Sequence, residues 1–204
     1  MTACLNTPNV IGKLLQKKWY IPATCMYLPS STYSLLNRSL TTFVGTMSIF
    51  APPSKPETPL GYHRILSPTA AVKVSPICLG GISIGHTWSE LFGANEDPFA
   101  LLDAYFSLGG NFIDTSNTYN SEDSERLIGE WMEKRANRDQ MVIATKYTAG
   151  YKAYDREHMP MQSNYTGNSA KSMHISVRDS LRKLRTDYID ILYVHWLVVL
   201  GSEE

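Results

Sequence analysis

The sequence has few of the features that mark membrane, nucleic-acid-binding, metal-binding or disulfide-rich proteins. It holds three cysteines in 204 residues, an odd number that argues against a disulfide framework and fits a reducing compartment. Lys and Arg number 19, and so do Asp and Glu, so the net charge is zero and gives no electrostatic sign of a nucleic-acid or membrane partner. No apolar run approaches the roughly 20 residues of a membrane span. The five histidines show no metal-ligand spacing, and we expect no metal.

One long segment lacks acidic residues altogether. Between Met1 and Pro56 no Asp or Glu occurs, although five basic residues and many Ser and Thr do. Together with an amphipathic pattern over Val10–Tyr20, this composition resembles an organellar transit segment. The alternatives are a disordered extension, or upstream sequence that precedes a second start at Met47. We expect a cytoplasmic protein, or a mitochondrial one if residues 1–46 are a transit segment.

The remaining sequence has the composition of a folded domain. Hydrophobic residues make up 43% of the chain and aromatic residues 11%, which is enough to bury a core. Four prolines in Ala51–Pro59 preclude a helix there, so we predict a disordered extension and linker over residues 1–59 and a folded domain over residues 60–204. The segments His63–Leu66 and Ala71–Val74 are predicted to form a hairpin around a Ser67-Pro68 turn.

Short apolar strands then alternate with amphipathic helices, which predicts an α/β fold with a parallel sheet. The predicted strands are Pro76–Leu79, Asn111–Asp114, Met141–Ala144 and Tyr188–Val194. The predicted helices are Asp97–Leu108, Ser124–Arg135 and Ala170–Leu184, and the last presents Met173, Val177, Leu181 and Leu184 on one face. The glycines of residues 80–85 lack the spacing of a Rossmann nucleotide site.

Chemically active residues follow three successive strands. Asp114, Lys146 and His195 end the second, third and fourth strands, and Tyr119 lies on the loop after Asp114. In a parallel barrel the carboxyl ends of the strands form the active-site face, so these four side chains should converge. An ammonium near a phenol favours the phenolate, and a phenol tuned in this way can exchange a proton with a carbonyl oxygen near neutral pH. An imidazole can hydrogen-bond the same oxygen and orient the substrate.

Each of these residues also has a structural interpretation. Asp114 could cap a turn, Lys146 could be a solvated strand end, Tyr119 could belong to the core or the surface, and His195 could be a buried core histidine. Each structural interpretation is the stronger one for a residue taken alone. Three titratable residues at three consecutive strand ends favour a catalytic site over four unrelated roles.

Residues from about Leu60 to Trp196 resemble the aldo-keto reductase superfamily, most closely its fungal aryl-alcohol dehydrogenase and norsolorinic-acid reductase branch. The matching segments are LGGISIG (79–85), GGNFIDTSNTY (109–119), SERLIGEWM (124–132), MVIATK (141–146) and SVRDSLRKLRTDYIDILYVHW (176–196). The resemblance implies a (β/α)₈ barrel of the TIM type, here reduced to about four βα units. It also implies an NADP(H)-dependent oxidoreductase that reduces an aldehyde or ketone, with an aryl compound as the expected substrate.

The resemblance assigns a role to each candidate site residue. Tyr119 corresponds to the proton donor, Lys146 and Asp114 to its partners, and His195 to the residue that orients the substrate. Gly81, Ile82 and Asp114 would border the cofactor ribose, while Ser124-Glu125 would only start a helix. Trp88 is expected to face the substrate pocket.

The long loop Tyr147–Gly167 carries four tyrosines. It would either line an aromatic pocket or form a mobile surface loop.

The second half of such a barrel has no counterpart in this sequence, and residues 197–204 depart from the family pattern. We therefore expect exposed sheet edges, unpartnered apolar residues on the strands, poor stability and self-association. The apolar strand residues concerned are Phe112, Ile113, Val142, Ile143, Leu192 and Val194. The alternative to an enzyme is a catalytically inactive remnant or interaction protein that retains the half-barrel.

Overall fold

The computed structural model of the chain describes residues 54–93 and 97–196. The predicted helix over Val10–Tyr20, the start at Met47 and the segment 197–204 lie outside these residues, as does most of the predicted extension. Within the described residues, the first regular element is a single 3₁₀ turn over Pro59–Gly61. Within the described ranges, no helix is both long enough and apolar enough to cross a membrane.

The predicted hairpin is confirmed. Strand β1 (Arg64–Ile65) pairs antiparallel with strand β2 (Lys73–Val74), and the Ser67 carbonyl accepts hydrogen bonds from two amides of the connecting turn. Val74 is buried and packs with Phe112, Val142 and Ala144. Through Val74, the hairpin therefore covers part of one face of the parallel sheet described next.

The main sheet has four strands, all parallel and in sequence order. They are β3 (Leu79–Gly80), β4 (Phe112–Asp114), β5 (Val142–Tyr147) and β6 (Ile191–Val194). Strand β3 is shorter than the predicted Pro76–Leu79 because the Ile77 carbonyl accepts hydrogen bonds from the Tyr105 and Ser75 hydroxyls. Strand β5 continues past the predicted end at Ala144 and carries Lys146 within the ladder.

Helices connect the strands, and three of them match the predictions within one residue at each end. Within residues 54–93 and 97–196, the helices are α1 (Ser89–Phe92), α2 (Pro98–Ser107), α3 (Asp123–Arg135) and α4 (Ala170–Lys183). The short α1 was not predicted, and further 3₁₀ turns cover Arg138–Gln140, Ala153–Asp155 and Ser163–Tyr165. Asp97 caps α2 by accepting hydrogen bonds from the Phe99 and Ala100 amides, as its Asp-Pro start predicts.

The main core lies between the sheet and its helices. Ile113 of β4 and Ile143 of β5 are fully buried there with helix residues, among them Leu102, Ile128 and Trp131. The expectation that the apolar strand residues lose their partners is therefore wrong for β4 and β5, where the helices and the hairpin cover both faces. It is confirmed for β6, where Leu192 is 38% exposed and Val194 is 52% exposed.

The apolar face predicted for α4 is only partly buried, because Leu184 is fully buried in the main core while Met173, Val177 and Leu181 are more exposed. Met173 is 40% exposed, and Val177 and Leu181 line an open surface cavity of about 600 Å³ together with Leu192. The buried side of α4 is polar instead, and it comprises Ser172, Ser176, Asp179, Ser180 and Lys183. This orientation arises because Lys183 and Asp179 meet buried partners on α3 and on the loop after β5.

Candidate active site

The parallel register brings Asp114 and Lys146 to the same face and the same end of the sheet. Asp114 lies opposite Ala144, and Lys146 follows Ala144 by two residues, so both side chains point to one face. Lys146 Nζ lies 2.7 Å from Asp114 Oδ2 and donates to the Thr115 carbonyl at 2.8 Å. The ammonium is thus held by a carboxylate and a backbone oxygen.

Tyr119 joins this pair from the loop that follows β4. Lys146 Nζ donates to the Tyr119 hydroxyl at 3.2 Å and lies 4.7 Å from the centre of its ring. The three residues after Tyr119 all have left-handed backbone, and this tight turn leads directly into α3. One ammonium therefore connects the acid and the phenol.

His195 completes the group from the end of β6. Its backbone amide donates to the Tyr147 carbonyl, which continues the ladder between β5 and β6. Its Nδ1 lies 3.3 Å from Ser116 Oγ, and its ring packs edge-on against Tyr119 at 5.8 Å between centroids. Burial lowers the pKa of His195, and the nearby Lys146 charge lowers it further, against a smaller opposite effect of Asp114. The imidazole is therefore neutral at neutral pH and can donate a hydrogen bond.

An open cavity of about 510 Å³ lies against these groups. Its lining residues are Cys78, Gly80, Phe112, Asp114, Lys146, Tyr193, Val194 and His195. Burial is the main reason that the pKa of Cys78 rises to about 11, and the Asp114 charge adds to it, so the thiol stays protonated. Within the described residues, no cluster of His, Cys, Asp or Glu could hold a metal ion.

The other residues predicted to contact the substrate or cofactor do not line this cavity. Trp88 does not line this cavity, because its amide binds Asn120 and its ring packs near Phe92. Gly81 is buried, and both of its backbone polar groups already bond within the chain, with Asp114 and Ser124 among the partners. The backbone residue that lines the cavity is Gly80. The cofactor roles of Gly81 and Ile82 remain predictions.

The tyrosines of the Tyr147–Gly167 loop do not line the cavity either. Tyr151 is buried and donates to Asp179 at 2.8 Å, and Tyr154 donates to Glu122 at 2.5 Å. Two 3₁₀ turns and these hydrogen bonds attach the loop to α3 and α4. Both predicted roles, aromatic pocket and mobile loop, are therefore replaced by a packing role for these two side chains.

The sequence analysis did not predict a buried ionic cluster that lies between α3 and α4. Glu122 and Glu125 are fully buried, and Lys183 Nζ lies 3.0 Å from Glu122 Oε2 and 2.6 Å from Glu125 Oε2. Ser124 bonds the Gly81 carbonyl and the Thr115 hydroxyl. The prediction that Ser124-Glu125 only start a helix is thus wrong, because both side chains tie α3 to its neighbours. The sequence signal that could have indicated this cluster is the pair Glu122 and Glu125, which follows Tyr119 closely.

The site offers an unused hydrogen-bond acceptor that fits a cofactor with hydroxyl groups. Asp114 Oδ1 is buried and has no hydrogen-bond partner among the described residues, while Oδ2 is used by Lys146. A buried carboxylate oxygen without a partner is costly, and a hydroxyl donor would satisfy it. A ribose hydroxyl is such a donor.

Comparisons with known proteins agree with the residues that carry the resemblance. Residues 76–200 match the model of the Aldo/keto reductase family. The chain is 56% identical over 158 residues to AAD6 of Saccharomyces cerevisiae, which carries a provisional aryl-alcohol dehydrogenase name, covering 76% of this chain and 74% of that protein. It is 57% identical over 155 residues to an aryl-alcohol dehydrogenase [NADP(+)] of Phanerodontia chrysosporium, covering 74% of this chain and 40% of that one.

A solved structure extends the agreement to the fold. The aldo-keto reductase AKR11C1 of Bacillus halodurans, in its holo form, superposes with a TM-score of 0.50 and 28% identity over 64% of this chain and 38% of that one. The predicted fold class, an α/β barrel reduced to about four strands, is confirmed. Except for AAD6, the chain spans about two fifths of the length of these relatives.

Proposed function

The chain belongs to the aldo/keto reductase family, and we propose that its site is the proton-transfer half of an NADP(H)-dependent carbonyl reductase. The proposed substrate is an aldehyde or ketone, with an aromatic group next to the carbonyl. The proposal draws on the NADP(+) aryl-alcohol dehydrogenase that the chain resembles and on the neutral, partly apolar lining of the cavity.

The single observation that carries the proposal is the contact of one ammonium with both a carboxylate and a phenol. Lys146 Nζ reaches Asp114 Oδ2 at 2.7 Å and the Tyr119 hydroxyl at 3.2 Å. A phenol next to a fixed positive charge can release its proton, because the ammonium stabilises the phenolate that remains. Four unrelated structural roles would not require this arrangement.

Each residue then has a definite task. Tyr119 donates its proton to the substrate carbonyl oxygen, Lys146 stabilises the resulting phenolate, and Asp114 holds the ammonium in place. His195, oriented through its contact with Ser116, donates a hydrogen bond to the same oxygen and aligns the carbonyl. NADPH, when bound, would supply the hydride for the carbonyl carbon. Asp114 Oδ1 would accept a hydrogen bond from its ribose.

A second candidate function is a non-catalytic interaction protein. The observation that favours it is the exposed apolar surface of β6 and α4, where Val194 is 52% exposed and Met173 is 40% exposed. Such a surface suits association with a further barrel segment or with a second copy of the chain. In this case the four site residues would be retained without turnover.

Replacement of the phenol tests the proposal directly. We expect Tyr119→Phe to lower the rate of NADPH-dependent reduction of an aromatic aldehyde by about 10²- to 10⁴-fold, because only the proton donor is removed. Cofactor oxidation measures the rate, and NADPH fluorescence measures binding, which should not change. The matched control is Tyr62→Phe, since the Tyr62 side chain lies 53% exposed on the hairpin side of the chain.

The outcome separates the two candidate functions. Equal rates for Tyr119→Phe and the unaltered chain would refute the role of the phenol. If neither protein turns over substrate but sedimentation shows concentration-dependent association, the interaction protein is the better description.

A further inference from the structure

Three strained residues follow Tyr119 in the sequence. Asn120, Ser121 and Glu122 have φ angles of 52°, 53° and 77°, in the left-handed region. A residue with a Cβ adopts this backbone only at a cost, and three in succession require support from their surroundings. Contacts with the surrounding side chains must therefore hold this turn in place.

One buried ammonium contacts the chain on both sides of Tyr119. Lys183 Nζ donates to the Asn117 carbonyl at 3.2 Å, two residues before Tyr119. It also lies 3.0 Å from Glu122 Oε2, three residues after Tyr119, and 2.6 Å from Glu125 Oε2. Lys183 with these three residues is named here the Lys183 clamp. All four side chains are buried, so water does not replace these contacts.

Further groups contact the Glu122 carboxylate, among them the Arg126 guanidinium at 3.9 Å from Oε1. Lys152 pairs with Glu122 Oε1, and the Tyr154 hydroxyl donates to the same oxygen. Two buried carboxylates thus face two ammonium groups. Asn120 is also fixed, because its side chain donates to the Ile82 carbonyl at 2.7 Å and accepts from the Trp88 amide at 2.9 Å.

We propose that the Lys183 clamp is a positioning device that holds the Tyr119 hydroxyl within reach of Lys146. Lys183 does not line the cavity and touches none of the reacting groups, so it acts through the backbone of residues 117–122. Buried ion pairs add little net stability compared with apolar residues of the same size, whereas they specify one arrangement of the chain. Only the catalytic consequence of the clamp rests on the proposed function.

The first test uses Glu122→Gln in the full chain. This substitution keeps the side-chain volume and leaves Lys183 paired with Glu125, but it removes the charge that anchors the strained turn. The matched control is Glu130→Gln in the helix that begins after Glu122, which removes an ion pair with Lys134 at the surface. The chain is labelled with ¹³C in the tyrosine rings, and Tyr119→Phe identifies the Tyr119 signal by its loss.

We expect one narrow Tyr119 signal in the unaltered chain and in Glu130→Gln, and a broadened or multiple signal in Glu122→Gln. Adding Ser121→Gly to Glu122→Gln should narrow the signal again, because glycine adopts left-handed backbone without strain. Adding Ala136→Gly should not, although Ala136 has a similar φ of 50° at the end of α3. This pair distinguishes relief of strain at the turn from general stabilisation.

Kinetics give a second, separable readout. Glu122→Gln should lower kcat for the aromatic aldehyde about tenfold with little change in KM, since the cavity lining is unaltered. If the unaltered chain reduces no carbonyl compound, the proposed function fails, and the Tyr119 signal still decides the proposal for the clamp.

A folded Glu122→Gln with an unchanged Tyr119 signal would overturn the proposal. If this variant does not fold, Lys152→Gln takes its place, because it removes the less buried of the two ammonium partners of Glu122 and leaves Lys183. A broadened Tyr119 signal in that variant supports the clamp, and an unchanged signal overturns it.

Discussion

Gly129 lies where α3 approaches the end of α4 most closely. A Cβ on this residue would lie 2.6 Å from the carbonyl carbon of Leu184 and closer still to the Lys183 carbonyl oxygen. Both atoms belong to backbone, which cannot move aside as a flexible side chain can. The close approach of the two helices, which also brings Lys183 to Glu122 and Glu125, therefore depends on the absence of a side chain here.

Gly129→Ala should accordingly destabilise the protein. We expect a loss of about 1–3 kcal/mol in the free energy of unfolding, which is the usual cost of forcing extra volume into a packed site. Urea denaturation followed by circular dichroism measures it. Gly150→Ala is the control, since a Cβ there meets only Thr166 Cβ at 3.8 Å. Equal stabilities of the two variants would contradict the close approach.

The four catalytic candidates could be predicted because their positions follow from topology. Side chains near the carboxyl ends of neighbouring parallel strands lie close together, and the apolar runs of the sequence show roughly where these strands lie. Glu122 and Lys183 could not be paired in the same way, because their contact depends on how far α3 and α4 approach each other. The position of Trp88 outside the cavity could not be predicted, because it depends on the turn after β3, where the Trp88 amide donates to Asn120.

Among the elements, α4 shows why periodicity alone can mislead. Its apolar stripe is a valid helical pattern, yet the helix rotates to bury serines and charges, because Lys183 and Asp179 have buried partners. The strands, by contrast, were predictable, since short apolar runs between helices have few alternatives in an α/β fold. Helix ends were predictable where a cap is explicit, as at Asp97.

The orientation of α4 leads to a paired prediction. Met173→Gln should change the free energy of unfolding by less than about 0.5 kcal/mol, because Met173 lies at the surface with 40% of its area exposed. Ser176→Leu should cost about 1–3 kcal/mol, because Ser176 is buried and accepts a hydrogen bond from Asn117. Thermal denaturation ranks the two variants. If Met173→Gln proved more destabilising than Ser176→Leu, the apolar face of α4 would be the buried one.

For the whole molecule, the titrating groups define a pH range of highest stability. The pKa of His195 is lowered from 6.5, chiefly by burial. Burial alone would raise the pKa of Glu122, but ion pairing with Lys183 and hydrogen bonds from Lys152 and Tyr154 outweigh it and lower the pKa from 4.5. Burial, first among the causes, raises the pKa of Tyr105 and Tyr151 from 10.

The signs of these shifts predict how stability depends on pH. Below pH 6.5, and again below 4.5, the unfolded chain binds protons more readily than the folded one, so stability falls as the pH falls. Above pH 9 the unfolded chain loses the Cys78 thiol proton first, and above pH 10 it also loses phenolic protons first, so stability falls as the pH rises. Urea midpoints measured across this range should form a plateau between about pH 6.5 and 9. His195→Gln should flatten the decline just below pH 6.5, and an unaltered slope would exclude His195 as its source.

The parallel register of β4, β5 and β6 limits which insertions and deletions the chain can accept during evolution. Lys146 faces Asp114 only because it follows Ala144, the partner of Asp114 in the ladder, by two positions. One extra codon between Val142 and Lys146 would turn the ammonium to the helix side, where Ile143 and Thr145 now lie buried, with almost no change in composition. A length change within the six residues of β5 would therefore separate the ammonium from its carboxylate, whereas a length change in an exposed stretch of a connection leaves this register intact.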